Sequence, residues 1–214
     1  MSALWTAFRT AAAMGRTDEV RMLLANGMEV SVKNNFGWTA IHHAALWGTE
    51  EIVELLIECG AEVTAKTNYG LTPLHYASSK GHTEVALLLL LNGAGVSNQD
   101  NKGRSQGVLV CDHAGRVINK LSRSPLHCAA FEGREEMVRL LLEYGADMSA
   151  TDDDERTPEQ VATVCWHFRV ASTLRAEETR RALAFAMGQH ARLGAGSWVR
   201  SLDADVVKMV LDLV

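Results

Sequence analysis

Three histidines in matching contexts are the residues whose type and spacing could support chemistry. His42, His75 and His127 each follow a threonine or serine by three positions. Histidine carries protons near neutral pH and often binds zinc, so these residues could form an acid–base site or a metal site. Cys111 and His113 could face one side of a strand, but two ligands do not complete a tetrahedral zinc site. The chain has no HExxH motif and no glycine-rich phosphate loop to support either chemistry.

The four cysteines do not indicate a reactive or metal-binding centre. No two of the four cysteines form a CxxC pair; they are Cys59, Cys111, Cys128 and Cys165. Such wide spacing is typical of free thiols in a reducing compartment and not of a disulfide framework. His127 and Cys128 are adjacent, and neighbouring side chains on a helix point about 100° apart, so they do not form a nucleophile–base pair. The sequence predicts a protein that is not an enzyme and that binds no cofactor and no metal.

The histidines belong to a sequence repeat with a period of 33 residues. Moving the segment 70–95 back by one period superimposes matching residues: Thr72 on Thr39, His75 on His42, Gly81 on Gly48 and Gly93 on Gly60. A constant period of this length indicates stacked helical repeats. The motif Thr72-Pro73-Leu74-His75, the closing glycines and the apolar run between them resemble the ankyrin repeat. The resemblance implies that the histidines are structural and bond to backbone groups of the turn.

The register of the repeat predicts an all-α ankyrin-repeat solenoid of about five helix–turn–helix units with short β-hairpin fingers. The predicted repeats within a 1–188 domain are 4–36 as a degenerate cap, 37–69, 70–102, 103–154 with an insertion at 106–122, and 155–188 as a second degenerate cap. Two short β-branched runs in the insertion, around a glycine-containing turn, predict an extended hairpin finger. Residues 189–214 are predicted to form a turn and an extra C-terminal helix.

The composition of the chain restricts the class of its binding partners and its cellular compartment. The formal net charge of −5 argues against non-specific affinity for nucleic acid or an anionic membrane. The longest apolar run, 85–91, is far shorter than the roughly 20 residues of a membrane span. An amphipathic transit peptide at 1–16 is an alternative to a repeat helix, but these residues keep the register of the repeat. We therefore expect a cytoplasmic or nuclear protein that binds no nucleic acid and does not insert into a membrane.

The resemblance also implies a binding surface, made of the finger tips and the exposed side of the first helix in each repeat. Aromatic residues cluster there in the second and third repeats, and interface hot spots favour aromatic anchors. The predicted partner-binding residues are Phe36, Trp38, His43, Trp47, Tyr69, Leu71, Tyr76, Lys80, Lys102, Arg104 and Phe131. The alternative is that Trp38 and Trp47 pack between repeats as core. The predicted function is non-enzymatic protein–protein interaction with an unidentified partner, as an adaptor, scaffold or assembly subunit.

The C-terminal segment supports a second functional hypothesis. Ser201-Leu202, followed by apolar residues four and eight positions after the leucine, loosely resembles the adaptor-binding helix of a SOCS box or the opening of an F-box. The resemblance implies a substrate receptor of a cullin-type ubiquitin ligase, with Leu202, Val206 and Val210 contacting the adaptor. The alternative is that this apolar helix face docks on the last repeat.

Overall fold

The helices follow one another in pairs along the chain. The computed structural model describes residues 2–98, 110–111, 117–118 and 123–193. The helices in these ranges are α1 Ser2–Ala13, α2 Thr17–Ala25, α3 Ala40–Trp47, α4 Glu50–Glu58, α5 Pro73–Lys80, α6 Thr83–Leu91, α7 Pro125–Phe131, α8 Glu135–Glu143, α9 Pro158–Val164 and α10 Phe168–Leu193. The paired arrangement confirms the predicted all-α stack of helix–turn–helix repeats.

Helices α1–α9 form two layers. The first helices α1, α3, α5, α7 and α9 pack against one another in chain order, and the second helices α2, α4, α6 and α8 form the other layer. Residues one repeat apart are buried at the same position of the first helices: Phe8, Ile41, Leu74 and Leu126. Leu56, Leu89, Leu141 and Leu174 do the same in the second helices. The core is therefore a ladder of equivalent apolar contacts, as expected for a repeat array.

The ends of the first helices follow the sequence signals. Capping boxes begin four of them, at Thr39, Thr72, Ser124 and Thr157. Gly48 and Gly81 end α3 and α5 in the left-handed conformation, with φ of 71° and 79°. Trp166 occupies the equivalent position in the last repeat and takes a φ of 65°, although its side chain is 78% exposed. A residue other than glycine is strained by roughly 1–2 kcal/mol at positive φ. The last repeat is therefore less regular than the repeats that have glycine at this position.

The insertion contains a short antiparallel strand pair. Strand β1, Val110–Cys111, pairs with β2, Val117–Ile118, so that Val110 lies opposite Ile118. The first of the two predicted runs is 108–110, of which 108–109 lie outside the described residues. The strand pair agrees with a hairpin finger at this place in the register.

The chain divides into two compact units, Met1–Leu174 and Arg175–Val214. The first unit contains the repeats. In the second, the described residues continue α10, where Glu177 accepts hydrogen bonds from Arg180 at 2.7 Å and from Arg181 at 2.8 Å. Helix α10 begins inside the range predicted for the second degenerate cap, 155–188, and continues beyond it to Leu193. The predicted turn and the final helix after residue 193 lie outside the described residues.

A recurring contact, which we call the helix-end contact, ties each repeat to the preceding one. The residue directly after each closing position donates to a carbonyl near the end of the previous first helix: Thr49 to Ala12 at 2.8 Å, His82 to Leu46 at 3.2 Å, Arg134 to Ser79 at 3.2 Å and His167 to Phe131 at 3.0 Å. Carbonyl groups at a helix C-terminus have no partner within the helix. These side chains therefore stabilise both the helix end and the repeat interface.

Ser78→Ala is expected to raise the free energy of unfolding by about 1 kcal/mol. The Ser78 side chain is fully buried, and its Oγ has no hydrogen-bond partner among the described residues. The equivalent residues of the other repeats are buried alanines: Ala12, Ala45 and Ala130. Urea unfolding followed by helical circular dichroism measures the change. Ser79→Ala, at a half-buried neighbour, is the control, and a loss of stability in Ser78→Ala would contradict the prediction.

Candidate functional site

Each described finger is a tight turn organised by one side chain at its base. Asn34, Thr67 and Asp152 stand at equivalent positions of fingers 34–38, 67–71 and 152–156. Their side-chain oxygens accept two backbone N–H bonds across the turn: Asn34 from Phe36 and Trp38, Thr67 from Tyr69 and Leu71, and Asp152 from Asp154 and Arg156, all at 2.9–3.3 Å. No motif in the sequence predicted these residues. Their shared signal is a short oxygen-bearing side chain at one register position.

The first two fingers are bonded to each other. The Asn68 N–H donates to the Phe36 carbonyl at 3.0 Å, and the Asn68 side chain donates to the Asn35 carbonyl at 2.9 Å. Gly37 has a φ of 77°, and a Cβ there would lie 2.7 Å from the Asn68 nitrogen. The close approach of the two fingers therefore requires glycine at this position. Together the fingers form one continuous edge.

The repeated histidines hold the fingers in place. The Thr39 N–H and hydroxyl donate to His42 Nδ1 at 3.1 and 2.8 Å. His42 Nε2 donates to the Leu71 carbonyl of the next finger at 3.3 Å and to the Ala65 carbonyl just before that finger at 3.1 Å. His75 makes the same bonds with Thr72 and the Arg123 carbonyl, and His127 makes them with Ser124 and the Arg156 carbonyl. The predicted structural role of these histidines is confirmed.

These bonds require the neutral form of the histidine rings. Nδ1 accepts from an N–H while Nε2 donates to a carbonyl, so a second ring proton would face a donor. Burial lowers the pKa of His42 and of His75 to about 4, and it lowers the pKa of His127 as well. Both nitrogens of each ring are engaged, so none of the three is placed for proton transfer or metal binding. Within the described residues, no group of three or more His, Cys, Asp or Glu side chains could hold a metal ion.

Aromatic rings pack together beneath the first two fingers. The Trp38 ring centroid lies 4.7 Å from that of His43 and 4.4 Å from that of Tyr76, and the Trp5 and His43 centroids are 6.3 Å apart. Tyr76 is only 8% exposed, and Trp38 is half-buried. Burial, with a smaller contribution from the Arg9 charge, lowers the pKa of His43 to about 4, so this ring is neutral at physiological pH. Trp38 and Tyr76 therefore serve largely as inter-repeat packing.

Two of the predicted contact residues are largely accessible. Phe36 is 55% exposed at the first finger tip, and Trp47 is 56% exposed at the end of α3. The others that the structure describes are partly buried: His43, Tyr69, Leu71, Lys80 and Phe131. The Arg123 guanidinium lies 4.3 Å from the centre of the Phe131 ring. Lys102 and Arg104 lie outside the described residues. We define the finger surface as fingers 34–38 and 67–71 with the exposed sides of α3 and α5.

A groove borders the finger surface at the first repeat. It has a volume of about 770 Å³ and runs between α1, the end of α2 and the first finger. Its apolar lining residues are Leu4, Trp5, Leu23, Met28, Val32 and Phe36. Phe36 thus belongs to both the groove and the finger tip.

Other sequence expectations concern membranes and the C-terminus. No helix within the described residues is long and apolar enough to cross a membrane. The cytoplasmic or nuclear setting stays a prediction. The adaptor-binding hypothesis rests on Leu202, Val206 and Val210, which lie outside the described residues, and it also stays a prediction.

Comparison with known proteins supports the repeat assignment. A family model described as Ankyrin repeats (3 copies) matches residues 8–100, and one described as Ankyrin repeat matches residues 122–153. Rabankyrin-5 of Homo sapiens is 49% identical over 45 residues, and Rabankyrin-5 of Mus musculus is 52% identical over 40 residues. These matches cover 21% and 19% of this chain but only 4% and 3% of the relatives. Because the matched family segments cover more than half of its length, the chain belongs to the ankyrin-repeat family, whose repeats form protein–protein interaction modules.

Proposed function

We propose that the protein binds a segment of another protein on the finger surface and acts as an adaptor, scaffold or assembly subunit. The observation that carries this proposal is the exposure of two large aromatic side chains, Phe36 and Trp47, beside a tightly packed ring cluster. Exposed aromatic side chains are enriched among the residues that dominate interface energies. The proposed function is non-enzymatic, because the repeated histidines have both ring nitrogens engaged in structural bonds.

The rigidity of the base beneath these aromatics supports the proposal. The two fingers are joined by backbone and side-chain hydrogen bonds through Asn68. Trp38, His43 and Tyr76 pack against one another below the finger tips. Ordering side chains and loops on binding opposes association by about 0.5–1.5 kcal/mol per side chain, so a surface that is already ordered binds more tightly. The groove beside Phe36 adds a recess for an apolar side chain of the partner.

The double substitution Phe36→Ser with Trp47→Ala is expected to weaken partner binding at least about tenfold, because hot-spot residues each contribute roughly 2 kcal/mol or more. Both side chains are more than half exposed, so the thermal midpoint should stay close to that of the unmodified chain. The measurement is quantitative affinity capture with the full chain, followed by titration of each captured protein against both forms.

Leu91→Ala provides the matched control. Leu91 is a large apolar residue that is 65% exposed, but it belongs to α6 in the other helix layer. A partner of the finger surface should be lost with the double substitution and retained with Leu91→Ala. Equal retention by all three proteins, or equal loss from both variants, would contradict the proposed function.

A further inference from the structure

Charged side chains are divided unequally between the two helix layers. The first helices α1, α3, α5 and α7 contain no acidic residue at all. The second helices contain two acidic residues in α2, four in α4, one in α6 and three in α8, but only two basic residues, Arg21 and Arg139. Among the described helices α1–α8, the negative charge is therefore concentrated on the layer away from the finger surface.

Basic residues occupy the finger surface and its border. Arg9 lies on α1, Lys33 and Lys66 lie at the bases of the first two fingers, and all three are exposed. The Lys33 ammonium lies 3.5 Å from the Lys66 carbonyl oxygen, which places one finger's charge against the next finger. Within the described residues, no carboxylate forms an ion pair with Arg9, Lys33 or Lys66. This edge thus presents three basic side chains that no carboxylate of the described residues pairs with, and Glu29 lines the groove beside Lys33.

The charges of these residues act on three nearby histidines, of which His42 and His75 are buried. The positive charge of Arg9 lowers the pKa of His43, that of Lys33 lowers the pKa of His42, and that of Lys66 lowers the pKa of His75, each as a smaller effect beside burial. Charges interact in this way only across short distances. Arg9 therefore lies near His43 of the aromatic cluster, and Lys33 and Lys66 lie near the buried His42 and His75.

We propose that the segment bound on the finger surface is an acidic peptide, whose Asp or Glu side chains pair with Arg9, Lys33 and Lys66 while an apolar side chain packs against Phe36 or Trp47. This proposal rests on the proposed function and specifies its partner. Complementary charge at an interface increases the association rate and excludes partners of the wrong sign.

The last finger limits where such a peptide binds. Asp153, Asp154 and Glu155 are exposed there, and Arg156 is already bonded to Asp152 and Asp154. Like charges facing one another are unfavourable. The acidic residues of the peptide therefore lie over the first three repeats and not over the last finger.

Selection from a phage-displayed library of random peptides tests the proposal on the full chain. Peptides of about 12 residues reach up to about 40 Å when extended, enough to cross several repeats. We expect the selected peptides to carry several Asp or Glu residues and at least one large apolar residue. Lys33→Glu with Lys66→Glu should weaken their binding at least about tenfold, or about 1.4 kcal/mol. Raising NaCl from about 0.1 M to about 1 M, which shortens the Debye length from about 10 Å to about 3 Å, should weaken it as well.

Arg16→Glu with Arg21→Glu is the control of equal net charge. Both arginines are exposed beside or on α2, away from the fingers, and this variant should bind the peptides as the unmodified chain does. Peptides that are lost with Phe36→Ser/Trp47→Ala, but are neutral or basic and unaffected by the lysine reversals, would overturn the acidic partner and leave the proposed function in place. Peptides indifferent to Phe36→Ser/Trp47→Ala, or no selected peptide at all, would overturn both.

Discussion

Acidification from about pH 6.5 to about pH 4 is expected to lower the free energy of unfolding by several kcal/mol. In the unfolded chain, histidine binds a proton as the pH falls through about 6.5. In the folded protein, burial holds the pKa of His42 and of His75 at about 4, so these two rings stay largely unprotonated across this window. The unfolded state therefore gains protons first, and acid favours it. Each such histidine lowers the free energy of unfolding by up to about 3 kcal/mol on acidification, and this loss is complete below about pH 4.

Urea unfolding at a series of pH values measures this effect. His43 acts in the same direction, since burial also lowers its pKa to about 4. Carboxyl groups with lowered pKa, such as Glu135 and Asp147, lose their stabilising bonds only at more acidic pH, because their ordinary values are already near 4. Most of the change between pH 6.5 and pH 4.5 is therefore assigned to the histidines.

The chain contains its own control for the histidine effect. Gln160 occupies the histidine position in the last repeat, and its Oε1 accepts the Thr157 N–H at 3.0 Å, which is the same capping bond without a titrating group. His75→Gln should weaken the fold at pH 7 by about 1–2 kcal/mol, because the bond to the Arg123 carbonyl is lost. The substitution should also make the free energy of unfolding depend less on pH between pH 6.5 and pH 4. An unchanged slope in a His42→Gln/His75→Gln protein would contradict the assignment.

Much of the fold was predictable because its signals are local and recur. A threonine or serine before Pro-Leu-His, a glycine at each helix end and an apolar run in each second helix define the helices wherever the period places them. The resemblance to the ankyrin repeat implied the role of His42, His75 and His127. Repetition turns a weak local signal into a strong one, because each repeat tests the assignment made in the previous one.

The partner surface was less predictable because burial there depends on neighbouring side chains. His43, Tyr76 and Cys128 share one register position, yet Tyr76 is buried while the other two are only partly so. Trp38 packs on both Tyr76 and His43, with ring centroids 4.4 and 4.7 Å apart, yet only Tyr76 is buried. A register position therefore identifies the surface to which a residue belongs but does not determine how accessible that residue is.

The helix-end contacts have a different kind of signal. Thr49, His82, Arg134 and His167 are of three residue types and so produce no visible motif. Each has a side-chain donor that reaches a carbonyl near the end of the preceding first helix. The hydrogen bond recurs along the array although the residue type changes, so only the structure identifies it.

Gly48→Ala is expected to destabilise the protein by about 3 kcal/mol, well beyond the effect of Gly60→Ala in the same repeat. Both glycines have positive φ, 71° and 84°, so alanine introduces backbone strain of roughly 1–2 kcal/mol at either position. A Cβ on Gly48 would also lie 2.5 Å from His82 Nδ1, whereas nothing lies within 4 Å at Gly60. The His82 ring must then move, and its bond to the Leu46 carbonyl is weakened.

Adding His82→Ala to both glycine variants separates the backbone strain at the glycine from the clash of the new methyl group with the His82 ring. With the ring removed, Gly48→Ala should cause about the same loss as Gly60→Ala, so the Gly48 and His82 substitutions should be non-additive by about 1–2 kcal/mol. Gly60 and His82 should be additive, because no atom lies near the new methyl group at Gly60. Equal losses from the two glycine variants, or additivity between Gly48 and His82, would show that His82 does not close over the end of α3. The glycine would then be required only for its backbone conformation, and the helix-end contact would not explain how consecutive repeats are held together.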